Sequence, residues 1–111
     1  MAIFKKKTNE YDNAANKMNS TSKSSERIIF EQLSDNSEQV ASLVDQLKLG
    51  KPLMLDFSRL NVTEGNKMLA FLAGACYASD ARQVLVKEKV YLFARNIDFL
   101  DGSLQEFIAN L

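Results

Sequence analysis

Apolar residues along this chain change their spacing several times, and each change marks an element. Ile28-Ile29-Phe30, inside residues 27–33, is a short β-branched run that reads as a strand. Asp35 and Glu38 then have the three-residue offset of a capping box, with Asp in place of Ser or Thr. Behind them Val40, Leu43, Val44 and Leu47 recur at three and four, which predicts a helix. Gly50 closes it and Pro52 prevents its continuation. Leu53-Met54-Leu55-Asp56-Phe57 is nearly continuous in apolar residues, as expected of a central strand covered on both faces. Asn61 and Glu64 offer a second cap, before a helix over about residues 62–77.

That second helix is apolar almost all round. Met68, Leu69, Phe71 and Leu72 cover a wide arc, while Ala70, Ala73, Gly74, Ala75 and Cys76 are small. Such a helix is buried on more than one side, either deep in its own subunit or against a second one. Gln83-Val84-Leu85-Val86, the polar turn Lys87-Glu88-Lys89 and Val90-Tyr91-Leu92-Phe93 then read as a hairpin. From Ser103 onward, Leu104, Phe107, Ile108 and Leu111 return to helical spacing. The order is βαβαββα, a small two-layer α/β sandwich.

The N-terminal quarter differs. Residues 19–25 contain no apolar residue and read as a linker, placed at 19–26, between a segment over 1–18 and a core over 27–111. In the first segment Met1, Phe4, Tyr11, Ala15 and Met18 fall near one helical face, with Lys5, Lys6 and Lys7 beside the bulky end. Two readings fit: a solubilising, disordered N-terminus, or an amphipathic segment lying in an anionic lipid interface. Charge sharpens the contrast, since residues 1–27 carry net +3 and the remainder net −3. The apolar residues precede the lysines, the reverse of a secretory signal, and no run reaches the roughly 20 residues that span a bilayer. A cytoplasmic location is expected.

Candidate chemistry is sparse. The chain has no histidine and a single cysteine, so it offers no imidazole base, no internal disulfide and no zinc set. Cys76 has no basic neighbour in sequence and reads as a structural thiol. Gly65 and Gly74 fit no phosphate-loop spacing, and the core shows no basic patch suited to nucleic acid. No cofactor, metal or catalytic set is expected, and the chain is read as a non-enzyme.

Residues 28–102 resemble SepF, a family of bacterial cell-division proteins. The resemblance rests on Leu53-Met54-Leu55-Asp56-Phe57-Ser58-Arg59-Leu60, then on Lys67-Met68-Leu69-Ala70-Phe71-Leu72-Ala73-Gly74-Ala75-Cys76-Tyr77-Ala78. Val90-Tyr91-Leu92-Phe93 and Asn96-Ile97 follow in the same order. It implies a dimeric α/β core that binds the C-terminal tail of the tubulin-like protein FtsZ, tethered to the cytoplasmic face of the membrane at the division site. By position it implies membrane contacts from Met1, Ile3, Phe4, Lys5, Lys6 and Lys7, and peptide contacts from Leu85, Tyr91 and Phe93. Met68, Phe71, Leu72 and Gly74 would form the dimer interface, and dimers of the family associate further into polymers. Lys87 stands where the family commonly has the hairpin glycine. A STAS-like regulatory domain is the alternative: Leu55-Asp56-Phe57-Ser58-Arg59-Leu60 and Val62-Thr63-Glu64-Gly65 are similar to its strand and helix start, with Thr63 at the phosphoserine position but no Asp-Ser-Ser-Gly.

Overall fold

The computed structural model describes residues 22–111. Seven principal elements follow in order: β1 (Ile29–Gln32), α1 (Ser37–Lys48), β2 (Leu53–Asp56), α2 (Val62–Ala78), β3 (Ala81–Lys87), β4 (Val90–Arg95) and α3 (Ser103–Ala109). They build one mixed sheet of order β1-β2-β4-β3, in which β1 and β2 are parallel and the other pairings antiparallel.

Strand alternation divides the core in two. Leu53, Leu55, Phe57 and Phe93 point toward α1 and α2, where they meet Leu43, Leu47, Met68 and Leu72. Met54, Leu92 and Ala94 point the other way and are covered by Phe99 and Leu104. The second face therefore has its own lid, made of α3 and the 3-10 turn Asn96–Phe99. This corrects the two-layer expectation: the sheet lies between helices on both sides. Its cause is visible in β2, whose first three residues are all buried.

The helix ends are set by short polar side chains. Asn36, not Asp35, caps α1: its Oδ1 accepts from the backbone N–H of Glu38 (2.8 Å) and Gln39 (3.3 Å). Asp35 instead pairs with Lys67 Nζ at 2.8 Å, tying the start of α1 to α2. The box expected at α2 is present, with Asn61 Oδ1 accepting from Glu64 N–H (2.8 Å) and Glu64 Oε1 from Asn61 N–H (3.1 Å). Beyond α1, Gly50 takes a φ of +95°, and the Arg95 guanidinium lies 2.7 Å from where a Cβ would stand.

The linker expected over residues 19–26 gives way to ordered structure before its end. Ser24–Arg27 form a 3-10 turn, and Ser24 is buried. Asp101 Oδ2 accepts from Ser24 N–H (2.9 Å) and Oγ–H (3.1 Å), while its Oδ1 accepts from Ser103 N–H (2.9 Å) and Oγ–H (2.8 Å). Next to this, Asp98 is only 4% exposed and accepts from Arg27 Nη2 (3.1 Å) and Arg95 Nε (3.0 Å). Arg27 Nε also donates to the Gly50 carbonyl at 2.9 Å. Polar bonds between residues more than 70 positions apart thus dock a segment that carries almost no apolar residue.

A pH dependence follows. The N–H of Ser24 first, then that of Ser103 and the two hydroxyls, hold the Asp101 carboxyl down to about 2. Because the folded value is depressed, the stabilisation is complete above the unfolded value near 4 and is lost as pH falls toward 2. Asp101 is exposed to solvent, so the contribution is screened to about 1 kcal/mol. Urea midpoints measured from pH 5 to pH 2 should fall less steeply in Asp101→Asn than in the wild type. Parallel curves would contradict this role.

Candidate functional site

The hairpin presents exposed apolar surface on the α2 side of the sheet. Leu85 of β3 pairs directly with Tyr91 of β4, and a bulge follows before Lys87 meets Val90. Glu88 and Lys89 form the turn, and Lys89 takes a left-handed φ of +64°. The position demanding backbone freedom is thus Lys89, not Lys87. The Lys89 carbonyl accepts from Phe57 N–H at 2.8 Å, drawing the β2–α2 loop against the turn.

Between turn, loop and helix start lies a hollow of about 190 Å³ lined by Phe57, Leu60, Val62, Leu69, Tyr91 and Lys89. The Phe57 and Tyr91 rings meet edge to face, with centroids 5.2 Å apart. Leu85, 60% exposed, is the cross-strand partner of Tyr91 in the wall of this hollow. An apolar floor is joined here by one ammonium group and by Asn61 and Asn66, an arrangement suited to apolar anchors accompanied by a polar or negative group.

The other candidates separate. Phe93 is 0% exposed, packed in the core with Leu53, so it has no surface to give a peptide; this corrects its assignment. Met68 and Leu72 likewise face the chain's own core and leave the group of interface residues. Phe71, 51% exposed, and Gly74 stay on the outer face of α2 with Ala70, Ala73 and Tyr77. A Cβ added at Gly74 meets nothing within 4 Å, so the subunit's own packing does not require glycine there. Tyr77 is 92% exposed. Met1, Ile3, Phe4, Lys5, Lys6 and Lys7 lie outside the described residues.

Sequence patterning missed two features. Val62 stands in the first turn of α2, where Gly65 and Asn66 at three and four positions on leave its direction unmarked. A larger groove of about 420 Å³, lined by Phe30, Met54, Val86, Val90, Phe107 and Leu111, lies on the α3 side of the sheet. Asp56 at its rim is held below the usual carboxylate range, chiefly by the Ser58 N–H. Burial pushes the Cys76 thiol up, in keeping with a structural residue. Among the described residues no group of His, Cys, Asp and Glu could hold a metal ion, and no helix is long and apolar enough to cross a membrane.

The profile of the family described as "Cell division protein SepF" matches residues 32–97, from the end of β1 through β4. The chain belongs to the SepF family. A SepF of Alkaliphilus metalliredigens is 30% identical over 83 residues, covering 75% of this chain and 55% of that protein. The SepF of Carboxydothermus hydrogenoformans is 29% identical over 70 residues, covering 63% and 51%. That of Caldanaerobacter subterraneus is 29% identical over 69 residues, covering 62% and 52%. The chain thus spans about half the length of these cell-division relatives, and the match takes in α2, the hairpin and the hollow between them.

Proposed function

We propose that this SepF-family chain is a cell-division adaptor. It binds the C-terminal tail of FtsZ on the surface around Leu85 and Tyr91 and tethers it to the cytoplasmic face of the membrane. The observation that carries the reading is the apolar hollow beside the hairpin, open to solvent and inside the region shared with the family. Residues 1–18 supply the membrane contact through Met1, Ile3 and Phe4, with Lys5, Lys6 and Lys7 facing anionic headgroups. Two copies pair through the outer face of α2 around Phe71 and Gly74, where small residues allow close approach. No residue described here is assigned a catalytic role.

Tethering is tested by sedimenting FtsZ with anionic vesicles in the presence of the full chain. FtsZ should pellet only when the chain is present. Phe4→Glu should weaken the recruitment by about tenfold or more, since it puts a charge in place of the bulkiest apolar side chain beside the three lysines. FtsZ left in the supernatant with the wild-type chain would reject the adaptor reading.

A further inference from the structure

The longest strand of the sheet, β3, is also an edge: it pairs with β4 on one side, and no described element pairs with it on the other. The phase of its hydrogen bonds follows from one contact. Asn96 N–H donates to the Asp80 carbonyl at 2.9 Å, so in the antiparallel register the bonded pairs are Arg82 with Ala94 and Val84 with Leu92. The N–H and C=O groups of Ala81, Gln83 and Leu85 consequently point outward along the free edge. Gln83 and Leu85 are exposed, and their side chains share the sheet face of Tyr91 and the hollow.

The edge also differs in charge from the body. Residues 82–89 carry Arg82, Lys87 and Lys89 against Glu88, net +2, whereas residues 22–111 carry 10 basic and 12 acidic groups, net −2. On the α3 side of this strand the Arg82 guanidinium stacks 4.5 Å from the Phe99 ring and donates from Nε to Asn96 Oδ1 at 2.7 Å. Lys87 lines the α3-side groove, while Lys89 lines the hollow on the α2 side. Two copies joined edge to edge would bring both sets of cations onto one seam, which opposes self-pairing. An extended acidic segment meets the opposite situation.

We infer that β3 receives its peptide partner by strand addition: an extended, acidic segment lies along the free edge, bonds the backbone of Gln83 and Leu85, and sets apolar side chains beside Leu85. The inference rests on the tail-binding reading and specifies its geometry. Backbone bonds give the affinity in this mode, while Arg82, Lys87 and Lys89 select for negative charge.

Proline at position 83 distinguishes this mode from contact through side chains. The Gln83 N–H takes no part in the β4 ladder, so Gln83→Pro removes an outward donor at an edge position where proline is tolerated. Full-length protein is titrated with a labelled synthetic peptide copying the C-terminal tail of FtsZ, and circular dichroism checks the fold of each variant. Gln83→Pro should weaken binding about tenfold, the effect of one or two edge hydrogen bonds, and Gln83→Ala should not. Amide exchange of the wild type, which depends on no variant, should show Val84, bonded to β4, protected with or without peptide, and Gln83 and Leu85 slowed only at saturation. Tail binding that leaves these amides unprotected, or that survives Gln83→Pro in a folded protein, overturns strand addition alone. Absence of tail binding by the wild type overturns strand addition and the adaptor reading together.

Discussion

Phe93→Ala is expected to cost about 3–5 kcal/mol of stability, the range for a large aromatic side chain removed from a packed core. The ring has no exposed surface, stands across from Leu53, and lies 6.1 Å from the Tyr91 ring and 6.4 Å from that of Phe57. Its removal opens a cavity under Phe57 and Tyr91, which line the hollow. Urea denaturation followed by circular dichroism measures the loss; a cost under about 1 kcal/mol would place the ring outside the core. Tail binding should fall in this variant too, but in proportion to the unfolded fraction. Leu85→Glu should instead abolish binding with the fold intact, because Leu85 is exposed and supports no core contact of comparable size.

Asp98→Ala is expected to destabilise by about 3 kcal/mol, because it removes the shared carboxylate from two partly buried guanidinium groups. The loss spreads along the cluster. Arg27 ties the Ser24–Arg27 turn to the Gly50 carbonyl, and the Arg95 guanidinium fills the space beside Gly50. Once Asp98 is gone, the turn that leads into the N-terminal segment loses its ion pair and keeps only its hydrogen bonds to Asp101, Ser103 and the Gly50 carbonyl. Amide exchange of residues 24–27 should accelerate before that of β2 or β4. Equal acceleration throughout would show that the cluster supports the whole sheet rather than the turn.

These effects separate what local patterning reveals from what it does not. The buried run of β2 and the Asn61–Glu64 box depend on neighbouring residues, and both are legible as written. The hairpin is legible for the same reason, although β3 begins at Ala81 and β4 ends at Arg95, both beyond their most apolar stretches. The phase of α2 is not legible. With apolar residues nearly all round, spacing cannot say that Met68 and Leu72 face the sheet while Phe71 and Tyr77 face outward. Alternation places Phe93 and Tyr91 on one face; only tertiary cover decides that the first is sealed and the second lines a hollow. The turn at Ser24–Arg27 is invisible for another reason: its partners Asp98, Asp101 and Ser103 lie in the last elements of the chain.

The family resemblance points to the hairpin through Leu85 and Tyr91, and Tyr91 lines the hollow beside it. Its remaining wall comes from Leu60, Val62 and Leu69, brought beside the turn by the β2–β4 ladder and its continuation in the bond from Phe57 N–H to the Lys89 carbonyl. The acidic body and the basic β3 edge are likewise separable only once the sheet order places β3 outermost.

The most direct test of the adaptor reading is a titration of the full chain with the labelled FtsZ tail peptide, run beside Leu85→Glu. Saturable binding by the wild type, competed by unlabelled peptide and absent in a folded Leu85→Glu protein, is the predicted result. No binding at high micromolar wild-type protein, or equal binding by the two proteins, would contradict it.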